Sequence, residues 1–189
     1  MVYMKALRSM FVVASLLIST FALAEERYPV GPNPNMTPGA ICENSKTHRY
    51  PENIVYCERN VSTADKRAII KAYYDQLGYS IQQMDSQEFK IDHFIPLSIG
   101  GSNSKDNLWP QHRSVFTITD PLETVLFEKI SVGAITQADA IRVIREAKLN
   151  LDRVPELIDY VESLEASGGQ SSNQPTPEPE PQFQQAVGF

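Results

Sequence analysis

Asp92 and His93 are the adjacent pair on which a chemical reading of this chain turns. They stand in the run Lys90-Ile91-Asp92-His93-Phe94-Ile95-Pro96-Leu97. Gly100-Gly101 follows, then Asn107-Leu108-Trp109-Pro110-Gln111-His112. A neutral histidine whose pKa lies near the working pH is a suitable general base. If both residues are extended, Asp92 and His93 project to opposite faces of the strand. A lone Asp-His pair signals almost nothing, and a solitary histidine beside apolar residues is usually structural. The ordered company of Ile-Pro, Gly-Gly and Asn-Leu sets this pair apart.

At these spacings the segment resembles the HNH (ββα-metal) nuclease family, whose signature runs Asp-His, Ile-Pro, a Gly-Gly turn and Asn-Leu. More narrowly, the Asn-Leu-Trp-Pro-Gln ending and the Asp-x-Leu-Glu at Asp120 to Glu123 resemble a group of small exported bacterial proteins with a predicted HNH-like domain. The resemblance spans residues 50–150 and is sharpest over the run that starts at Asp92. It implies hydrolysis of phosphodiester bonds in DNA or RNA, which needs an activated water, a hold on the phosphate and charge at the leaving oxygen. It further implies His93 as the general base and Asp92 as a ligand of one divalent metal ion. Asn107 is then a brace for the loop, its amide bonded to backbone groups of the Gly-Gly turn. A hard ion such as Mg2+ needs few protein ligands.

The resemblance also asks for a second metal ligand from the helix after the second strand. The related exported proteins tend to carry a histidine where this chain has Phe127, and phenylalanine binds no metal. The substitutes are His112, Asp120 and Glu123. His112 is preferred because it falls just after the second strand and imidazole ligates several divalent metals. Imidazole suits Mn2+ or Zn2+ better than Mg2+; across the candidate ligands Mg2+ or Mn2+ is favoured and Zn2+ stays open. Asp120-Pro121-Leu122-Glu123 also reads as an N-cap, a proline at the first helical position and a capping-box acid. That account is the stronger one for both carboxylates. For His112, beside Arg113, an ordinary surface position is the alternative.

These residues need elements to position them. Phe89 to Leu97 and Leu108-Trp109 read as two short strands joined by a long, glycine-containing loop. Upstream, Ser62 with Asp65 three residues later starts a helix carrying Ile69, Ile70, Tyr73, Tyr74 and Leu77, which Gly78 ends. Downstream, three helices are predicted. One starts near Asp120-Pro121 and runs toward Ser131. The next is capped by Thr136 with Asp139 and carries Ile141, Ile144 and Ala147. The last starts near Asp152 and carries Leu157, Ile158, Val161 and Leu164. Asn53 to Tyr56 is a candidate short strand. Trp109 reads as core, and Lys46, Arg49, Arg59, Lys66, Arg67 and Lys71 as a solvated basic face.

Residues 1–24 read as a signal peptide. Lys5 and Arg8 precede an apolar run, and Ala22-Leu23-Ala24 supplies a cleavage site. No other segment is apolar enough to span a bilayer. Cleavage leaves 15 basic residues against 23 acidic, a formal charge of −8, which counts against indiscriminate binding of nucleic acid. A small basic groove remains compatible with that charge. Cys42 and Cys57 would form a disulfide in an oxidising compartment. Residues 25–40, rich in Pro, Gly and Asn, read as an extended, poorly ordered lead-in. Residues 41–166 read as the domain, and 167–189 as a disordered Pro/Gln/Glu-rich tail.

The expected fold is α+β: a ββα-metal element surrounded by three or four helices. The expected protein is an exported, periplasmic or secreted metal-dependent nuclease. Its rival is a non-catalytic HNH-like binding or structural module of the envelope, motivated by Phe127 and the acidic charge.

Overall fold

The structure, a computed structural model, describes residues 28–166. Residues 1–24, read as a signal peptide, and residues 167–189, read as a disordered tail, lie outside the described residues. Among the described residues the architecture is α+β, with four α-helices and two small antiparallel hairpins. In order these are β1 (His48–Arg49), β2 (Ile54–Val55), α1 (Thr63–Leu77), β3 (Phe89–His93), β4 (Leu108–His112), α2 (Arg113–Ser131), α3 (Gln137–Leu149) and α4 (Val154–Glu162).

Helix α1 begins where its cap residues dictate. The Ser62 hydroxyl accepts the Asp65 N–H while the Asp65 carboxylate accepts the Ser62 N–H. Gly78 closes it at φ 77°, donating its N–H to the Tyr74 carbonyl. Ile69 and Tyr73 face inward, against Ile91, Leu108, Trp109 and Val115. A second core unites Leu122, Leu126 and Ile130 of α2 with Val143, Ile144 and Ala147 of α3 and Leu157 and Val161 of α4.

Strands β3 and β4 pair from Phe89 opposite His112 to His93 opposite Leu108. Residues that pair directly share a face, and neighbours along a strand alternate. Lys90, Asp92, Trp109 and Gln111 therefore share one face of the hairpin, and Ile91, His93, Leu108 and Pro110 the other. The loop between the strands folds back tightly at Gly101, where a Cβ would meet the Ile95 carbonyl oxygen at 1.8 Å. Only glycine allows that approach.

Helix α2 does not start near Asp120-Pro121. It starts at Arg113 and carries Pro121 in its interior. The imidazole of His112 is its N-cap, accepting the Ser114 N–H at 3.2 Å. An interior proline costs about 3 kcal/mol, while each fully buried Val, Leu or Ile contributes roughly 1.5–3 kcal/mol. Val115 before the proline and Leu122, Leu126 and Ile130 after it are all buried, so packing of one continuous face outweighs the break. Asp120 and Glu123 are thus released from capping.

The lead-in is also better anchored than its composition suggests. Thr37 is buried, and its hydroxyl bonds Tyr73 Oη at 2.9 Å and donates to the Leu108 carbonyl. Gly39 donates its N–H to the Asp106 carbonyl at 2.8 Å. These bonds hold a segment that has no regular structure of its own. Cys42 and Cys57 are disulfide-bonded, with Cα atoms 5.7 Å apart. Among the described residues no helix is long and apolar enough to cross a membrane.

Candidate functional site

The candidate centre lies where β3 meets α2 and the last turn of α3. Asp92 on β3 comes together with Asp120 and Glu123 of α2, one oxygen from each lying within 4.8 Å of the others. Three residues apart on a helix, Asp120 and Glu123 point the same way. They face the side of the hairpin that carries Lys90 and Asp92.

Two ammonium groups enter this carboxylate cluster. Lys90 Nζ lies 2.8 Å from Asp92 Oδ2 and 2.9 Å from Asp120 Oδ2. Lys148 Nζ, fully buried, lies 2.6 Å from Glu123 Oε1 and donates to the His93 carbonyl at 2.7 Å. Asp92 is 8% exposed. Burial acts to raise its pKa, but the charges of Lys148 and Lys90 and the hydrogen bond from Lys90 prevail and hold the carboxyl well below the usual range. Glu123 moves the other way. Its burial outweighs the attraction of Lys148, and the negative charges of Asp92 and Asp120 push it further up. Lys90 loses by burial but gains more from Asp92 and Asp120, so its pKa is raised.

Asp92 links the cluster to His93. Its Oδ1 accepts the backbone N–H of His93 at 2.9 Å and lies 3.7 Å from His93 Nδ1, while Oδ2 faces Lys90. His93 is 2% exposed, and its Nε2 lies 3.1 Å from Asn103 Oδ1. Asn107 is fully buried and braces the loop: its amide donates to the carbonyls of Ile95 and Ser102 and accepts the Ile95 N–H.

His112 does not join Asp92. It pairs with Phe89, three positions along the ladder from the Asp92–Trp109 pair. Its Nδ1 caps α2, and its ring stacks on Tyr28 with centroids 3.6 Å apart. Phe127 lies one turn beyond Glu123, half-exposed, edge-on to Tyr50 at 6.4 Å. Trp109 is completely buried, so its ring offers no face to a base. Of the basic residues, Arg59 donates to the Ile91 carbonyl, Arg49 lies over the Tyr56 ring and Lys71 pairs with Asp75.

Lys90, Lys148 and Asn103 escaped the reading of the sequence. Lys90 had a signal: two residues before Asp92, it shares that face of the strand. Lys148 had one too, since it follows Ile144 by four and so extends the apolar stripe of α3 with a cation. Asn103, in polar turn material, had none.

The chain matches no protein-family model, no curated protein and no solved structure.

Proposed function

We propose that this chain is an exported, metal-dependent phosphodiesterase of the HNH (ββα-metal) type that cleaves DNA or RNA. The carrying observation is the convergence of Asp92, Asp120 and Glu123 where the hairpin bearing His93 meets the helix that follows it. This donor set is all oxygen, which suits a hard divalent cation, Mg2+ or Mn2+, better than Zn2+. Asp92 and Asp120 would hold the ion with Glu123. The Lys90 side chain is 36% exposed and has room to leave the cluster, whereas Lys148 is enclosed and stays with Glu123. A bound ion would stabilise negative charge on the phosphoryl and leaving oxygens. His93 accepts a proton from water as the water oxygen bonds to phosphorus and the ester P–O bond breaks; solvent protonates the leaving oxygen. Asp92 supports the imidazolium that results, and Asn107 keeps the loop behind it in shape.

A second reading has its own observation. Lys90 and Lys148 neutralise most of the cluster, and His93 is nearly inaccessible. On this second reading the chain is a non-catalytic HNH-like binding or structural module of the cell envelope.

One experiment separates the two. Residues 25–189, with the disulfide intact, are incubated with plasmid DNA and with RNA in Mg2+, Mn2+, Zn2+ or EDTA, beside His93→Ala. Cleavage that needs both metal and His93 supports the enzyme. A folded protein that cleaves neither substrate with any metal, or a His93→Ala variant as active as the parent, overturns it.

A further inference from the structure

We propose that Asn103 is the positioning residue of His93, and that the Cys42–Cys57 disulfide holds together the two backbone segments that fix its amide. The catalytic consequence rests on the reading of His93 as general base; the positioning itself does not.

The amide of Asn103 has one orientation available. Its Nδ2 donates to the Glu58 carbonyl at 2.7 Å, and a carbonyl only accepts. Its Oδ1 accepts the Asn60 N–H at 3.2 Å, and a backbone N–H only donates. The same Oδ1 faces His93 Nε2 at 3.1 Å, so the ring nitrogen must supply the proton. A neutral His93 is therefore protonated on Nε2 and carries its lone pair on Nδ1. Nδ1 is the nitrogen 3.7 Å from Asp92 Oδ1, on the side of the carboxylate cluster. A base there is set by the hydrogen bond at the opposite nitrogen.

The turn that carries Asn103 is gripped from two sides. On one, Cys42 donates its N–H to the Gly100 carbonyl, Ser102 donates to the Ala40 carbonyl, and Ile41 bridges Gly101. On the other, Glu58 and Asn60 bond the Asn103 amide, while Arg59 Nη2 donates to the Ile91 carbonyl at 3.2 Å. Neither segment lies in a helix or in either hairpin at these positions. The disulfide joins Cys42 on the first side to Cys57 on the second, next to Glu58. It thus restrains the pair of segments whose separation decides which atoms face Asn103.

The test reads the ring directly. Residues 25–189 labelled with 15N-histidine are examined by long-range 1H–15N correlation above the ordinary histidine pKa range, with His93→Gln to assign the signals. The parent is expected to carry the His93 proton on Nε2. Asn103→Ala is expected to give mixed tautomers and to lower kcat/KM roughly ten- to hundredfold. Asn103→Asp keeps an acceptor for Nε2–H and is expected to keep the tautomer. A folded Cys42→Ser/Cys57→Ser variant is expected to drift toward mixed tautomers. If that variant does not fold, reduction of the native disulfide, followed on the same His93 signals while the protein remains folded, gives the same reading. A parent protonated on Nδ1, or a folded Asn103→Ala with the parental tautomer, overturns the role of Asn103. A folded protein without the disulfide that keeps the parental tautomer overturns the role of the disulfide. If no nucleic acid is cleaved while the tautomer follows Asn103, the nuclease reading fails and the positioning stands.

Discussion

Lys148 and Glu123 form an ion pair, Nζ to Oε1 at 2.6 Å, with the lysine enclosed and the carboxylate partly exposed, that ties the end of α3 to the middle of α2. The lysine side chain is wholly enclosed and its remaining reach is spent on the His93 carbonyl. The pair therefore fixes the backbone of the histidine as well as the helix opposite it.

Breaking this pair on one side is expected to be costly. Lys148→Met strands Glu123 beside Asp92; loss of one partner of a fully buried pair costs about 3–5 kcal/mol, and the partial exposure of Glu123 makes that the upper bound here. Lys148→Met/Glu123→Leu leaves no orphaned carboxylate at position 123 and is expected to recover much of that loss. Urea unfolding of the two variants checks it. A single variant as stable as the parent would mean that the pair contributes nothing.

Asp92 and Glu123 give stability opposite slopes with pH. The folded pKa of Asp92 is depressed, so its contribution is complete above the unfolded value of 3.8 and is lost as pH falls below it. Glu123 is raised above its ordinary 4.5, so its contribution is present below that value and is lost as pH rises through the folded pKa. Asp92→Asn is expected to lose less stability in acid than the parent does. Glu123→Gln is expected to gain relative to the parent as pH rises toward neutral. Urea midpoints measured from neutral pH into acid test both signs, and parallel curves for parent and Asp92→Asn would contradict the first.

Pro121 distinguishes the two helix starts. Inside α2 it leaves the Thr117 carbonyl without its usual donor, so Pro121→Ala is expected to stabilise the protein. The gain is bounded by about 3 kcal/mol and reduced by the greater freedom of the unfolded chain. A proline at the first helical position would make the same change nearly neutral or unfavourable. Thermal unfolding of the variant decides between them.

That helix start shows what was readable in the sequence and what was not. Ser62 with Asp65 and Thr136 with Asp139 set their helices because capping is local. Asp120-Pro121-x-Glu123 has the same local form, yet burial of Val115, Leu122 and Leu126 along one face overrides it. The hairpin and the brace at Asn107 follow from a motif whose parts are near in sequence. The ion pair of Glu123 with Lys148 joins residues 25 apart on different helices, and no local pattern records it. His112 illustrates a related limit. Its place beside the second strand suggests ligation, but the register sets it opposite Phe89, three positions from the Asp92–Trp109 pair.

Lys90 makes the last expectation, since it competes for the oxygens a cation would use. Its ammonium bridges Asp92 and Asp120, and its half-exposed stem lets it swing aside. An ion entering the cluster must displace it and lose that attraction. Exposed and half-exposed ion pairs contribute up to about 1 kcal/mol. Lys90→Gln is therefore expected to tighten Mn2+ binding by roughly three- to fivefold. Asp92→Asn should weaken it far more, because the Asp92 carboxyl is held well below the usual range and so offers the ion a charged ligand at the centre of the cluster. Calorimetric titration of Mn2+ into the parent and both variants reads this directly. If Lys90→Gln binds no tighter than the parent, then Lys90 does not guard the carboxylates. If no variant binds at all, the acids and lysines form a closed ion-pair network, as the non-catalytic reading requires.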